Sequence, residues 1–299
     1  MTVTAPPAAD RPNLGKSGLS ARRRLTDLVM RVAMALALVI AVIPLGLVVY
    51  AVIARGGSVL SLEFFTEDIP FSYRRAGGGM APAIVGTLVI TGGAALLAIP
   101  LGVLGAIYLN EYGGQHRLAR TIRMMADVMT GVPSIVMGLF IYVTWVTTFQ
   151  SQSGFAAALA LACLMLPIVI RTTEEMLKLV PDELRQASLA LGARKWRTIL
   201  TVVLPAAISG ITSGSLLAVA RAAGETAPLV VTAGVVYSAN WSLAGSNTAL
   251  PAQIFRNASQ PFVPAQERAW GAALTLVAIV LVFTAVARMI SSRFAIKGH

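Results

Sequence analysis

The sequence holds a single cysteine, Cys163, and two histidines, His116 and His299, far apart in the chain. One thiol excludes an internal disulfide framework and a cysteine-based zinc site. Two distant imidazoles leave no metal cluster to assemble. Charge is also scarce, at 12% of residues against about a quarter in soluble domains. Acidic residues are scarcest, 13 against 24 Lys and Arg, which leaves a net charge of +11. With 56% apolar residues and a mean hydropathy of +0.75, an ordinary soluble domain is excluded and an all-α integral membrane protein is expected. The basic excess is therefore read by its position along the chain, and no nucleic-acid partner is expected. LGKSG at residues 14–18 contains the GKS of a phosphate-binding loop, but the required earlier glycine would fall at Asp10 and no strand precedes it. ATP binding by that route is excluded.

What is present is a series of charge-free runs. About 20 helical residues cross the hydrocarbon core. Residues 32–54, 76–110 and 269–287 each supply one span. Residues 128–170 are uncharged over 43 positions, too long for one span, and the polar patch TTFQSQSG at 147–154 divides them into two. Residues 198–234 would run roughly 55 Å as one helix. Pro205 offers a break, since proline removes a helical donor and clashes with the preceding turn, so this span is expected over 207–233. The total is six transmembrane helices. Pro100, Pro133 and Pro167 lie within spans and are expected to be packed kinks.

Orientation follows Lys and Arg. With the N-terminus inside, 17 of the 24 fall in inner segments and five (Arg55, Arg74, Arg75, Arg256, Arg268) in outer ones. Both termini are therefore expected in the cytoplasm. The first apolar run is too long for the core of a cleavable signal and lacks a small-x-small exit, so it reads as an uncleaved anchor. The expected organisation is a disordered basic tail over 1–25, a first span over 26–54, an extracytoplasmic loop over 55–80, a core of five spans over 81–293, and a cytoplasmic tail over 294–299. The glycines at 77–79 read as a flexible entry to the second span, and residues 237–267 as an ordered outer gate contacting a binding protein or, alternatively, a solvated connection.

The longest inner loop, residues 174–205, has internal order. Pro181, Asp182 and Glu183 make a helix start with carboxylates in the first turn. Leu184, Ala187, Ser188 and Leu191 then share a face, and Gly192 suits a left-handed stop. Arg194, Lys195, Trp196 and Arg197 open a second short helix. Gln186-Ala187-Ser188, three residues, Gly192, nine residues, then Val202-x-Leu204-Pro205 resembles the EAA loop of ABC importer permeases. The spacing matches throughout, with Gln186, Ser188 and Val202 departing from the family's Glu, Ala and Ile. The resemblance implies that this loop is a coupling helix seated on a separate ATP-hydrolysing subunit, through Asp182, Glu183, Gln186, Ala187, Ser188, Gly192, Leu204 and Pro205.

RAAGETAP, residues 221–228, places Arg221 and Glu225 near the centre of the expected fifth span. Each charge there costs at least about 2.5 kcal/mol unless paired. Four residues apart, they can neutralise each other on one helix face, or line a translocation path. The planar guanidinium fork of Arg221 suits a tetrahedral oxyanion, and Glu225 would hold it until substrate arrives. Gly210, Gly214 and Gly224 would let neighbouring helices approach closely. Thr130 and Ser134, flanking Pro133, offer hydroxyls to the same path, as does Thr226.

RAAGETAPLVVTAG at 221–234, with GGGMAPAIVGTL at 77–88, YLNEY at 108–112, GVPSIVMGLF at 131–140, ALPAQIF at 249–255 and QERAWGAAL at 266–274, resembles the phosphate-specific ABC permeases, in particular their A-type subunit. That resemblance covers about residues 70–292. It implies a MetI-like type I importer fold and import of inorganic phosphate. It also implies a second homologous permease (PstC-type), an ATP-binding dimer (PstB-type) and an extracytoplasmic phosphate-binding protein (PstS-type). The chain itself is expected to have no catalytic site and no cofactor. The alternatives are a permease for another oxyanion, sulfate or molybdate, and a self-contained secondary transporter, which would show inverted repeats or broken helices at matched positions.

Overall fold

A computed structural model describes residues 21–114 and 116–294. The segment read as a disordered tail lies mostly outside the described residues, but its last five positions, 21–25, are helical. Among the described residues the fold is all-helical. Helix α1 spans Ala21–Gly56, and the short α2 spans Leu62–Thr66. Helix α3 (Ala81–Ile107) runs into a π-turn at Tyr108–Tyr112. Helices α4 (Arg117–Gly131) and α5 (Ser134–Ile141) follow, then a π-turn at Tyr142–Val146 and α6 (Thr147–Phe149). Helix α7 spans Gly154–Lys178, α8 Asp182–Ala190 and α9 Lys195–Thr198. A third π-turn at Ile199–Val203 leads into α10, Leu204–Ala223. The remainder is α11 (Ala227–Thr232), α12 (Leu250–Ala258) and α13 (Val263–Phe294).

Five helices are long and apolar enough to cross a membrane, and a sixth span results if α4 and the segment from Ser134 to Phe149 count as one. That pair is bent by 108°, where a single span with a packed kink at Pro133 was expected. Pro133 explains the break. A residue before proline is pushed out of the helical region, and Val132 is extended at φ −73°, ψ 129°. Pro100 and Pro167, by contrast, remain inside α3 and α7. The division of the long apolar run at 147–154 holds: Gln150 turns left-handed at φ 51°, and Ser153 caps α7 by accepting from the Ala156 amide at 3.1 Å.

The expected fifth span is displaced. Pro205 does not interrupt it, because the π-turn at Ile199–Val203 adds a residue ahead of the proline and leaves Pro205 in the first turn of α10. A missing donor costs little there, because the π-turn already interrupts the i→i−4 ladder. The helical rod therefore runs unbroken from Lys195 to Ala223. It stops ten residues earlier than expected, at Gly224.

The chain divides into two units, one ending at Ala51 and one beginning at Val52. Within the first, α1 exposes its apolar side chains along its length. Within the second, α7 is the central element. Ile90, Ala94 and Ala98 of α3 and Ala218, Val219 and Ala222 of α10 pack on Ala157, Ala158, Leu161, Met165 and Val169 of α7. Between membrane helices, attraction comes from close packing rather than water exclusion, so small residues let the backbones meet. A Cβ on Gly210 would stand 2.2 Å from Met176 Sδ, and one on Gly214 2.6 Å from Thr172 Cβ. The expected close approach at these two glycines is thus present. Gly224 makes no such approach, because it ends α10 and meets only the Arg221 carbonyl.

Of the segments read as outer, the glycine entry to α3 is more ordered than expected. Gly77 and Gly78 take positive φ, at 72° and 80°, and the buried Arg268 of α13 donates to the carbonyls of Arg75 at 2.6 Å and Gly77 at 3.1 Å. The entry to α3 is therefore a pinned turn. Thr87 Oγ1 accepts from the Leu250 amide at 2.8 Å, joining α3 to α12, and Gln253 donates to Thr248 Oγ1 at 3.0 Å. A Cβ on Gly86 would stand 1.7 Å from the Thr248 carbonyl oxygen, whereas one on Gly92 meets nothing within 4 Å. Gly86→Ala is therefore expected to lower stability by about 1–3 kcal/mol through overpacking. Gly92→Ala is expected to be neutral or stabilising. Thermal unfolding of the two variants in detergent checks the contrast.

Candidate functional site

Four of the five residues expected on a polar path converge on one cavity of about 300 Å³. Thr130 comes from the last turn of α4, Ser134 from the start of α5, Arg221 from the last turn of α10, and Glu225 from just beyond it. Leu164, Met165 and Ile168 of α7 form the apolar wall. The bend at Pro133 brings both hydroxyl residues to the same space, so the broken helix is what builds this side of the cavity. The fifth, Thr226, begins α11 and does not line it.

The geometry of the charge pair differs from the expected helix-face pair at mid-span. Helix α10 ends at Ala223, so Glu225 lies past the helix terminus. Arg221 Nε and Glu225 Oε1 are 3.9 Å apart, and the Arg221 side chain is 71% exposed against 24% for Glu225. A pair this open and this long contributes little, at most about 1 kcal/mol. The guanidinium makes no hydrogen bond to another described residue, so its fork remains free for a ligand with two or more oxygens. Arg221 also lies at the C-terminal end of α10, whose backbone carbonyls favour a cation. That offsets part of the cost of placing it there.

An ionic layer lies beside the cavity on α4 and α7, which inspection of the sequence did not single out. Arg171 Nε donates to Asp127 Oδ1 at 2.7 Å, with a second contact through Nη2. Glu174, buried to 1% exposure, takes Arg123 at 2.8 Å, Lys178 at 2.9 Å and Arg171 at 3.7 Å. The available signal was the isolation of a few carboxylates within otherwise basic inner segments.

The loop read as inner, residues 174–205, folds as its residue pattern implies. Pro181 precedes α8, Asp182 and Glu183 stand in its first turn, and Gly192 takes φ 83°. Ser188 Oγ and Thr198 Oγ1 are 2.9 Å apart, tying α8 to α9. Gln186 and Ala187 are exposed, Leu204 and Pro205 open α10, and Leu184, Leu189 and Leu191 leave an uncovered apolar surface on α8. What holds this loop was missed. Arg185 donates to Glu111 Oε1 at 3.1 Å, to Asp182 Oδ1 at 3.0 Å and to the Leu177 carbonyl at 2.8 Å. Lys195 adds a bond to the Glu111 carbonyl and sits 4.9 Å over the Tyr112 ring. YLNEY is thus the anchor of α8.

On the opposite side, Arg256 of α12 donates to the Gly234 carbonyl at 3.1 Å. Burial pushes its guanidinium below its ordinary value, with Tyr73 and Tyr237 acting the other way. Among the described residues no group of three or more His, Cys, Asp or Glu is arranged to hold a metal.

Comparison with known proteins gives a consistent picture. Residues 98–296 match the family model described as binding-protein-dependent transport system inner membrane component. The phosphate transport system permease protein PstA 1 of Mycobacterium tuberculosis (strain CDC 1551) is 46% identical over 277 residues, covering 91% of this chain and 90% of that protein. PstA of Yersinia pestis is 44% identical, covering 84% of each. Among solved structures, a bacterial alginate ABC transporter chain aligns over 93% of this chain and 99% of its own with a TM-score of 0.67 at 13% identity. A chain of the inward-facing MetNI methionine ABC transporter aligns over 73% and 94% with a TM-score of 0.56 at 21% identity. These two likenesses concern the fold.

The anchor of α8 is open to test. Arg185→Met leaves the buried Glu111 carboxylate without its cation, with the Asn110 amide at 2.9 Å still donating to it, and is expected to cost about 3 kcal/mol. Limited proteolysis in residues 180–195 is expected to accelerate, while Arg194→Met, at an exposed position, leaves the cleavage rate unchanged.

Proposed function

Because this chain belongs to the family of binding-protein-dependent transport system inner membrane components, we propose that it is one permease half of an ATP-driven importer of inorganic phosphate. The observation that carries the reading is the convergence of Arg221, Glu225, Thr130 and Ser134 on one cavity between α4, α5, α7 and α10. The PstA names of relatives at 44–46% identity support the choice of phosphate.

In this reading the cavity is half of a path completed by a second, homologous permease. A phosphate dianion displaces Glu225 from Arg221 because it offers several oxygens to the fork and more charge than one carboxylate. The Thr130 and Ser134 hydroxyls donate to oxygens that the guanidinium leaves unpaired. The apolar wall of α7 lowers the local dielectric and strengthens both interactions. Thr226 and α11 border the route without contacting the anion.

Energy enters at the other end of α10. The exposed apolar surface of α8, with Asp182, Glu183, Gln186, Ala187 and Ser188, docks in a groove of an ATP-binding dimer. Gly192 sets the turn, and Leu204 and Pro205 pass its movement to α10. The system then exchanges between inward- and outward-open states, and the ATP cycle shifts the balance between them. Lys and Arg bias toward the α8 side supports a cytoplasmic position for both termini. Residues 237–267 face a phosphate-binding protein outside. The chain needs no cofactor and catalyses no covalent step.

Uptake of labelled phosphate by phosphate-starved cells lacking this chain tests the proposal, with sulfate as the competing cargo. The wild type is expected to restore phosphate uptake and leave sulfate uptake unchanged. Arg221→Gln is expected to reduce uptake at least tenfold at equal membrane abundance. Glu225→Gln is expected to raise ATP hydrolysis in the absence of phosphate. Restoration of sulfate rather than phosphate uptake would move the cargo to another oxyanion, and unchanged uptake and hydrolysis in both variants would remove the pair from the path.

A further inference from the structure

We propose that Arg171 is a second seat for the transported oxyanion, one helical turn beyond the cavity, and that Asp127 occupies this seat between transport events. The proposal rests on the transport reading above and adds a station to it.

Helical spacing places the seat. Ile168 of α7 and Thr130 of α4 both line the cavity. Arg171 and Asp127 lie three residues from them, on the same faces of the same two helices and toward the α8 side. The contacts of Gly210 with Met176 and Gly214 with Thr172 fix the antiparallel register of α10 on α7. In that register Arg221 comes level with Met165, and Ser215 comes level with Arg171. The backbone levels of the two arginines are therefore about six helical residues apart along α7, roughly 9 Å. An anion released by Arg221 meets the next cation within a distance comparable to the Debye length.

Three carboxylates act on Arg171: Glu175 is exposed and acts from a distance, while the two that contact it, Glu174 and Asp127, differ in how tightly they are held. Glu174 is 1% exposed and is shared by Arg123, Lys178 and Arg171, so a passing anion does not displace it. Asp127 has Arg171 as its ion-pair partner and is 54% exposed, with Arg171 at 33%. An open pair of this kind is weak. A dianion that reaches it carries more charge and more acceptor oxygens than the one carboxylate. Ser215, at the same level on α10, is buried, and its hydroxyl makes no hydrogen bond to a described residue. The seat is thus a fork occupied by a displaceable acceptor, with the buried Ser215 at its level on α10. It repeats the chemistry of Arg221 and Glu225 one step further along.

The test compares the two halves of the pair in the whole transporter, in cells lacking this chain, by labelled-phosphate uptake at equal membrane abundance. A structural bridge loses as much when either half is removed. A seat needs the cation and can spare the carboxylate. Arg171→Gln is expected to lower the maximal uptake rate at least tenfold with the KM unchanged, while Asp127→Asn retains at least half of the parental rate. Arg171→Lys, a compact charge without the fork, is expected to lose several-fold. Equal losses in Arg171→Gln and Asp127→Asn, or parental uptake in both, would overturn the seat. If Arg171→Gln fails to accumulate, Asp127→Asn and Arg171→Lys decide alone. A structural bridge predicts damage from Asn and tolerance of Lys, the reverse of the order expected here. If the parental chain restores no phosphate uptake, the cargo reading fails first. If it does and the order is reversed, the second seat alone fails.

Discussion

The structure depends on how closely α7 can approach α3 and α10. In a bilayer there is little hydrophobic gain in bringing two apolar helices together, so dispersion contacts must hold them. Those contacts require short distances, and the sequence supplies them with alanine and glycine. Gly102 of α3 would drive a Cβ to 2.7 Å from Val169, and Gly210 and Gly214 of α10 would do the same against Met176 and Thr172. These crossings set the registers of the three helices. The registers in turn determine that Arg221, Met165 and Ile168 border one space, and that Arg171 falls just beyond it.

A second constraint shapes everything polar. Charges near the apolar interior must be paired, but a transporter of anions must also leave some cations available. The molecule meets both demands by grading the pairs. Glu174 and Glu111 are buried and held by several donors, and they serve as fixed anchors for the α8 side of the fold. Asp127 and Glu225 are more exposed and pair with one cation each. The same residue types thus do different work according to burial and to the number of bonds they accept.

Much of this was legible in the sequence, for reasons that are local. Charge-free runs, the helix start at Asp182, the stop at Gly192 and the Gly210/Gly214 spacing all express short-range rules, and the structure follows them. The grouping of Thr130, Ser134, Arg221 and Glu225 was also accessible, since polar residues in apolar runs are expensive and tend to gather. Other features depend on tertiary contacts. Pro205 looked like a breaker because proline usually is, and only a π-turn upstream makes it harmless. Pro133 looked like one kink among three, yet it turns the chain by 108°. The end of α10 at Gly224 was hidden because Thr226–Thr232 is as apolar as a continuing helix. Gly77 and Gly78 read as flexible because Arg268, which pins the Gly77 carbonyl, is 191 positions away. Arg185 and Arg171 were counted among basic inner residues, since nothing nearby marks which lysine or arginine faces inward.

The unbroken rod from Lys195 to Ala223 has a mechanical consequence. Its 29 residues amount to roughly 43 Å of helix, with Lys195 bound to the anchor of α8 at one tip and Arg221 in the last turn at the other. The π-turn at Ile199–Val203 lies close to the first tip, where a helix is most readily re-aimed. This is a lever with a short arm and a long one. From Val203 to Arg221 the long arm measures about 27 Å, so a tilt of roughly 5° at the pivot sweeps the guanidinium through about 2.4 Å. Glu225, whose amide bonds to the Ala222 carbonyl, travels with it, so the displacement is felt against Thr130 and Ser134, which α4 and α5 hold across the cavity. Nothing in the cavity itself need soften for its arginine to change partners.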